Sequence, residues 1–128
     1  MAKAEFELDQ YVRGNLIAWN VTSQCGYKGT LTLKSGNETL FSISKTTVDH
    51  NLILLGNGNT TITTDNTLKL IIDIPQSSIV KSSIVSGAIT DKMAKKVGYI
   101  YDLCIEDSND DDYNDFYVNI VGWKNQAK

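Results

Sequence analysis

Ten consecutive residues carry most of the chemistry this chain can offer: Glu106-Asp107-Ser108-Asn109-Asp110-Asp111-Asp112-Tyr113-Asn114-Asp115. Six of the 15 acids fall in that window, leaving nine acids against 12 Lys and Arg elsewhere. The formal net charge of −3 is therefore a basic body carrying one acidic segment. Two like charges about 5 Å apart in an effective dielectric of about 20 repel by roughly 3 kcal/mol. Held between ordered strands, several such pairs weigh heavily against a domain stability of about 5–15 kcal/mol. The plain alternative is a solvated acidic turn. However, Tyr113 interrupts the acids, and Phe116, Tyr117 and Val118 follow at once, which a solvating segment would not carry. Carboxylates joined by an Asn amide oxygen are the donor set of a hard cation. The segment is expected to bind one.

The ion follows from the donors. The only histidine is His50, and no cysteine lies in the window, which disfavours zinc and copper. An all-oxygen set suits Ca2+, which takes about 6–8 oxygens, better than Mg2+, which keeps its waters. The EF-hand pattern fails here. Asp110, Asp112 and Asn114 match its first three ligands, but Asp115 stands where glycine is required and Val121 where the closing Glu belongs.

The flanking sequence explains how such a segment would be held. Apolar residues recur with period two, as in Thr30-Leu31-Thr32-Leu33-Lys34 and Leu68-Lys69-Leu70. Nine strands are expected: Tyr11–Trp19, Lys28–Lys34, Glu38–Ser44, Asn51–Leu55, Asn59–Thr64, Thr67–Ile74, Ile79–Val85, Val97–Ile105 and Phe116–Trp123. Turn signals separate them at Ser35-Gly36-Asn37, Gly56-Asn57-Gly58-Asn59 and Asp65-Asn66. Thr90–Lys96 reads as a helical turn or a loop. The fold class is all-β, an antiparallel β-sandwich, and 128 residues without a linker or repeat make one domain. The acidic segment then joins the last two strands.

Here the residues resemble a known family, the calcium-mediated bacterial fucose- and mannose-binding lectins of the PA-IIL type. The pattern Glu-Asp-x-x-Asp-x-Asp-Tyr-Asn-Asp, from Glu106 to Asp115, followed by an apolar strand and Trp123, carries the resemblance. Fainter echoes are Phe6, Leu8 and Arg13, then Ala18-Trp19-Asn20 and Asn37-Glu38-Thr39. The resemblance implies a nine-stranded sandwich with two adjacent Ca2+ ions per site, both coordinated by vicinal hydroxyls of one monosaccharide. It implies Glu106, Asp110, Asp112 and Asp115 on one ion, and Asp112, Asn114 and Asp115 on the other. A backbone carbonyl from Asn20 or Val21 would join the second set, and Asp107 would accept a hydrogen bond from the sugar. Thr22 and Ser23 would touch the sugar from a neighbouring loop. That loop, Val21–Lys28, looks about three residues longer than the family's, so sugar preference does not transfer. In the family a C-terminal Gly carboxylate completes the partner subunit's second calcium site. Here Lys124-Asn125-Gln126-Ala127-Lys128 follows Trp123, two residues longer.

Other residues read more plainly. Trp19 and Trp123 are expected in the core, Tyr27 is a candidate sugar contact, and His50 is expected at the surface. Cys25 and Cys104 are expected as thiols. Scattered bases argue against nucleic acid, and no apolar run could span a bilayer. With no apolar leader at Met1–Glu5, a cytoplasmic location or unconventional export is expected. The reading is a non-enzymatic, calcium-dependent lectin for fucose- or mannose-like glycan ends, forming a homodimer or homotetramer. Two rivals stand beside it. One is an adhesin-type module whose calcium only clamps the loop; the other is a glycosidase using two of the carboxylates.

Overall fold

The computed structural model describes residues 2–24, 27–47, 50–76, 80–106 and 116–124. Among them are nine strands and no helix. The strands are β1 (Ala2–Leu8), β2 (Leu16–Ser23), β3 (Gly29–Ser35), β4 (Glu38–Lys45), β5 (Ile53–Thr61), β6 (Leu68–Ile74), β7 (Lys81–Thr90), β8 (Lys96–Glu106) and β9 (Phe116–Trp123). They form a four-stranded sheet, ordered β1-β6-β3-β4, and a five-stranded sheet, ordered β5-β2-β9-β8-β7. Every pairing is antiparallel. The all-β sandwich follows from the alternation. β6 buries Leu68, Leu70, Ile72 and Ile74, and β3 buries Leu31 and Leu33. The other sheet answers with Ile17 and Val21 of β2, Tyr101, Leu103 and Ile105 of β8, and Phe116, Val118 and Ile120 of β9. Each such side chain contributes about 1.5–3 kcal/mol by leaving water, so the two inner faces are held on one another.

The expected count of nine is met by a different set of strands. Ala2–Leu8 is a strand the pattern did not flag, paired along its whole length with β6. Asn51–Leu55 and Asn59–Thr64, expected as two strands, are replaced by the continuous β5. Gly56 and Gly58 lie inside β5 rather than in a turn. A Cβ on Gly58 would sit 2.7 Å from Trp19 Cζ2, and one on Gly56 would sit 2.9 Å from Ile43 Cδ1. These glycines let large neighbouring side chains lie against the strand. The strand expected at Tyr11–Trp19 runs instead from Leu16 to Ser23. A turn at residues 12–15 precedes it, with Gly14 at φ +94° and the Asn15 side chain accepting from Val12 N at 3.0 Å. β7 runs on to Thr90, past the expected Val85. The stretch after Thr90 is a turn, in which Asp91 Oδ1 accepts from Met93 N and Lys95 N at 2.8 and 3.0 Å.

Candidate functional site

The registers of β2, β8 and β9 define where the acidic segment begins and ends. Phe116, the first residue of β9, lies opposite Ser23 on one side and Ile105 on the other. The last residues of β2 and β8 and the first of β9 therefore converge at one end of the five-stranded sheet. Phe116 is fully buried there. Its ring reaches toward the opposite sheet, where a Cβ on Gly29 would stand 3.0 Å from Phe116 Cζ. The return strand is thus anchored in the core at its first residue.

Glu106 is the described member of the carboxylate set. Alternation along β8 turns Tyr101, Leu103 and Ile105 inward, so Glu106 occupies an outward-facing position, yet it is fully buried. Its register partner on β7 is Lys81. A carboxylate taken out of water must be paired or coordinated, because an isolated buried charge costs far more than a fold can spare. An acidic oxygen set beginning on a buried glutamate fits a hard cation in its chemistry. The remaining expected loop residues, Asp107, Asp110, Asp112, Asn114 and Asp115, lie outside the described residues.

The expected residues of β2 divide. Thr22 lies opposite Tyr117 and Leu54 and is half-buried, whereas Ser23 is fully buried with its position inward. Asn20 lies three positions further in, opposite Asn57 and Asn119, about 10 Å along the strand from Ser23 at about 3.3 Å per residue. Val21 is one step nearer the converging end. The β2–β5 register also breaks between Val21 and Thr22, and such a break interrupts the ladder and frees backbone groups.

Two features of this end or its sheet depart from sequence reasoning. Lys45, at the end of β4 opposite Gly29, is only 2% exposed, and its Nζ donates to the Thr47 carbonyl and, at 3.3 Å, to Thr47 Oγ1. Nothing in the local pattern separates this lysine from a surface one. Trp123, expected in the core, is 41% exposed at the far end of β9, where its ring lies over Gly98. It sits outside because its strand position faces away from the other sheet. Trp19 is half-buried against the core, 5.0 Å from the Phe41 ring, and Tyr27 also packs on the core. His50 is exposed. Cys104 is half-buried on β8 opposite Tyr117, and Cys25 lies outside the described residues.

The opposite end of the sheet is closed by tyrosines. Tyr11 donates to the carbonyls of Tyr99 at 2.8 Å and Ile120 at 3.1 Å, tying the β1–β2 connection to β8 and β9. Its ring fills the space above Gly122 and stands edge-on to Tyr101 at 5.3 Å. Tyr101 Oη accepts from Gln10 N at 3.1 Å and donates to Asp9 Oδ1 at 3.2 Å. Burial pushes the Tyr101 hydroxyl up to about 12 and that of Tyr11 higher still, the neighbouring Tyr101 adding to the latter.

The architecture has counterparts among solved structures. A high-affinity mannose-binding lectin of Ralstonia solanacearum aligns with a TM-score of 0.62 at 16% identity, over 93% of this chain and 94% of that one. Lectin CV2L of Chromobacterium violaceum, solved with α-methyl-fucoside, gives 0.61 at 21% identity, over 93% and 94%. The C-terminal domain of lectin BC2L-C from Burkholderia cenocepacia gives 0.64 at 16% identity, over 93% of each chain. No protein-family model and no curated protein matches the chain. Nearly end to end, the chain has the fold of these three bacterial lectins.

Proposed function

We propose that this protein is a calcium-dependent lectin whose site is built on the converging ends of β2, β8 and β9. The observation that carries the reading is the fully buried Glu106 at the threshold of a carboxylate-rich segment, on a sheet that brings Thr22 and Ser23 to the same end. The fold shared with three sugar-binding lectins supports it. Glu106, Asp110, Asp112 and Asp115 would hold one Ca2+. Asp112, Asn114, Asp115 and the carbonyl of Asn20 or Val21 would hold a second, with Val21 the nearer of the two. Four carboxylates against two divalent ions leave no net charge in the cluster, which answers the repulsion that makes the bare segment costly.

The chemistry suits a neutral sugar. An ordinary hydrogen bond to a hydroxyl nets only about 1 kcal/mol against water. A bound cation adds direct attraction for the hydroxyl oxygens, and surrounding carboxylates accept the polarised protons in charge-assisted bonds. Asp107 and the outward-facing Thr22 are the side chains assigned to sugar hydroxyls beyond the ions; Ser23 follows Thr22 on the strand with its side chain buried and turned inward. Fucose- or mannose-like glycan ends are the ligand class. Single-sugar sites are weak, so a homodimer or homotetramer would raise avidity by presenting several at once.

Titration calorimetry against a panel of methyl glycosides tests the reading. Heat for a fucose- or mannose-like member, abolished by EDTA and restored by Ca2+, is the expected result. Ca2+-stabilised melting with no response across the panel would contradict it and favour a module whose calcium only clamps the loop. Release of sugar from aryl glycosides would favour an enzyme.

A further inference from the structure

The end of the sandwich remote from the acidic segment holds a cleft of about 520 Å3, within the range of about 300–1,000 Å3 typical of small-molecule sites. Its walls come from the β1–β2 connection, the start of β8 and the end of β9. Three cationic residues line it, Arg13, Lys96 and Lys124, and no carboxylate does among the described residues. The lining also includes the amides Gln10 and Asn15 and the ring of Tyr99.

Several observations make this more than a scatter of surface charge. Lys96 is held in place: its Nζ donates to Gln10 Oε1 at 3.1 Å and lies 5.0 Å from the Tyr99 ring centroid. The wall carrying Arg13 is a fixed turn, since Gly14 N donates to the Ile62 carbonyl at 2.9 Å and Ile62 N to the Asn15 carbonyl at 3.0 Å. Of two neighbouring acids, one is engaged away from the cleft and the other pairs weakly with Arg13 itself. Asp9 accepts from Tyr101, and Asp65 meets Arg13 at 3.4 Å in a pair whose side chains are 63% and 81% exposed. A pair so exposed is worth about 0–1 kcal/mol, too little to hold Arg13 away from a ligand.

We propose that this cleft is a second, metal-independent binding site for an acidic saccharide, with Arg13, Lys96 and Lys124 facing its carboxylate or sulfate. Gln10 and Asn15 meet its hydroxyls. The guanidinium offers a planar two-pronged donor to an oxyanion, and the ammonium groups act as point charges beside it. The amides and an aromatic ring distinguish a sugar acid from a bare ion. The site stands independently of the calcium reading, because nothing in it requires a cation.

The probes are methyl β-glucuronide, N-acetylneuraminic acid and a sulfated heparin disaccharide, titrated in excess EDTA with methyl β-glucoside as the neutral control. Binding of at least one acidic probe is expected, weakening as salt is raised, with no binding of the glucoside. Arg13→Gln combined with Lys96→Gln should weaken it at least tenfold while leaving Ca2+-dependent sugar binding unchanged. No binding of any acidic saccharide, or equal binding by wild type and the double variant, would overturn the proposal. Binding of inorganic phosphate or phosphatidylglycerol vesicles without any acidic saccharide would overturn it too. So would self-association abolished by the double variant with no saccharide bound.

Discussion

At one end of the five-stranded sheet, Ser23, Ile105 and Phe116 lie side by side where β8 gives way to a run of carboxylates. At the other end, about 23 Å away by strand rise, Leu16, Gly98 and Trp123 lie side by side next to interlocked tyrosines. The tyrosine end is completed by the chain itself. Tyr11 satisfies two carbonyls, Tyr101 satisfies a backbone amide and an aspartate, and Gly122 provides the space for a ring. On the proposed function the acidic end would be completed by the ions it binds. The same sandwich would then have an end that stabilises the fold outright and an end whose stability depends on ligand.

This difference predicts how each end breaks. Asp112→Ala should have the largest effect, eliminating Ca2+ binding and sugar binding together, because Asp112 is assigned to both ions. Retained sugar affinity in calorimetry would refute the assignment. Removing Ca2+ with EDTA should lower the melting temperature of the wild type. The loss corresponds to about 2.7 kcal/mol if the ion had been present at about 100 times its dissociation constant, and the Asp112→Ala protein should show no such drop. Gly122→Ala should destabilise the fold by about 1–3 kcal/mol through overpacking, since the new methyl would collide with the Tyr11 ring. Chemical denaturation measures this, and Ca2+ affinity should stay unchanged. Tyr11→Phe should cost about 1 kcal/mol, leaving the Tyr99 and Ile120 carbonyls without their hydroxyl donor.

The pH dependence follows the same division. The Tyr101 hydroxyl ionises near 12 in the fold against an ordinary 10, so the native state retains a proton that the unfolded chain gives up first. Its contribution is complete below pH about 10 and is lost as pH rises through about 12. Tyr11 is shifted in the same direction. Stability should therefore fall in strong alkali, in step with tyrosinate absorbance, and Tyr11→Phe should lessen the fall.

Much of the scaffold was legible because alternation is a local signal. Leu68, Leu70, Ile72 and Ile74 name the inner face of β6 without any knowledge of the partner sheet. The signal failed where a residue's role is set from across the sandwich. Gly56 and Gly58 read as a turn, yet they make room within a strand for Ile43 and Trp19. β1 was missed although Ala4, Phe6 and Leu8 alternate with the exposed Lys3, Glu5 and Glu7, because the segment lacks the β-branched residues that mark the other strands. Trp123 was misassigned because an aromatic residue in a strand does not declare its face. The acidic segment was visible from composition alone, and so was its position between the last two strands. The burial of Glu106 was not, since alternation by itself would have turned it to solvent.

The most direct test is residue-resolved amide NMR of one sample, first with Ca2+ added and then with methyl α-fucoside or methyl α-mannoside. The account predicts that Ca2+ shifts the amides of Glu106, Phe116, Val21 and Thr22, and that the sugar then shifts Thr22 and Ser23 only once Ca2+ is present. Gly98, Gly122 and Trp123 should not respond to either addition. Sugar-induced shifts without Ca2+, or shifts centred on the tyrosine end, would contradict it.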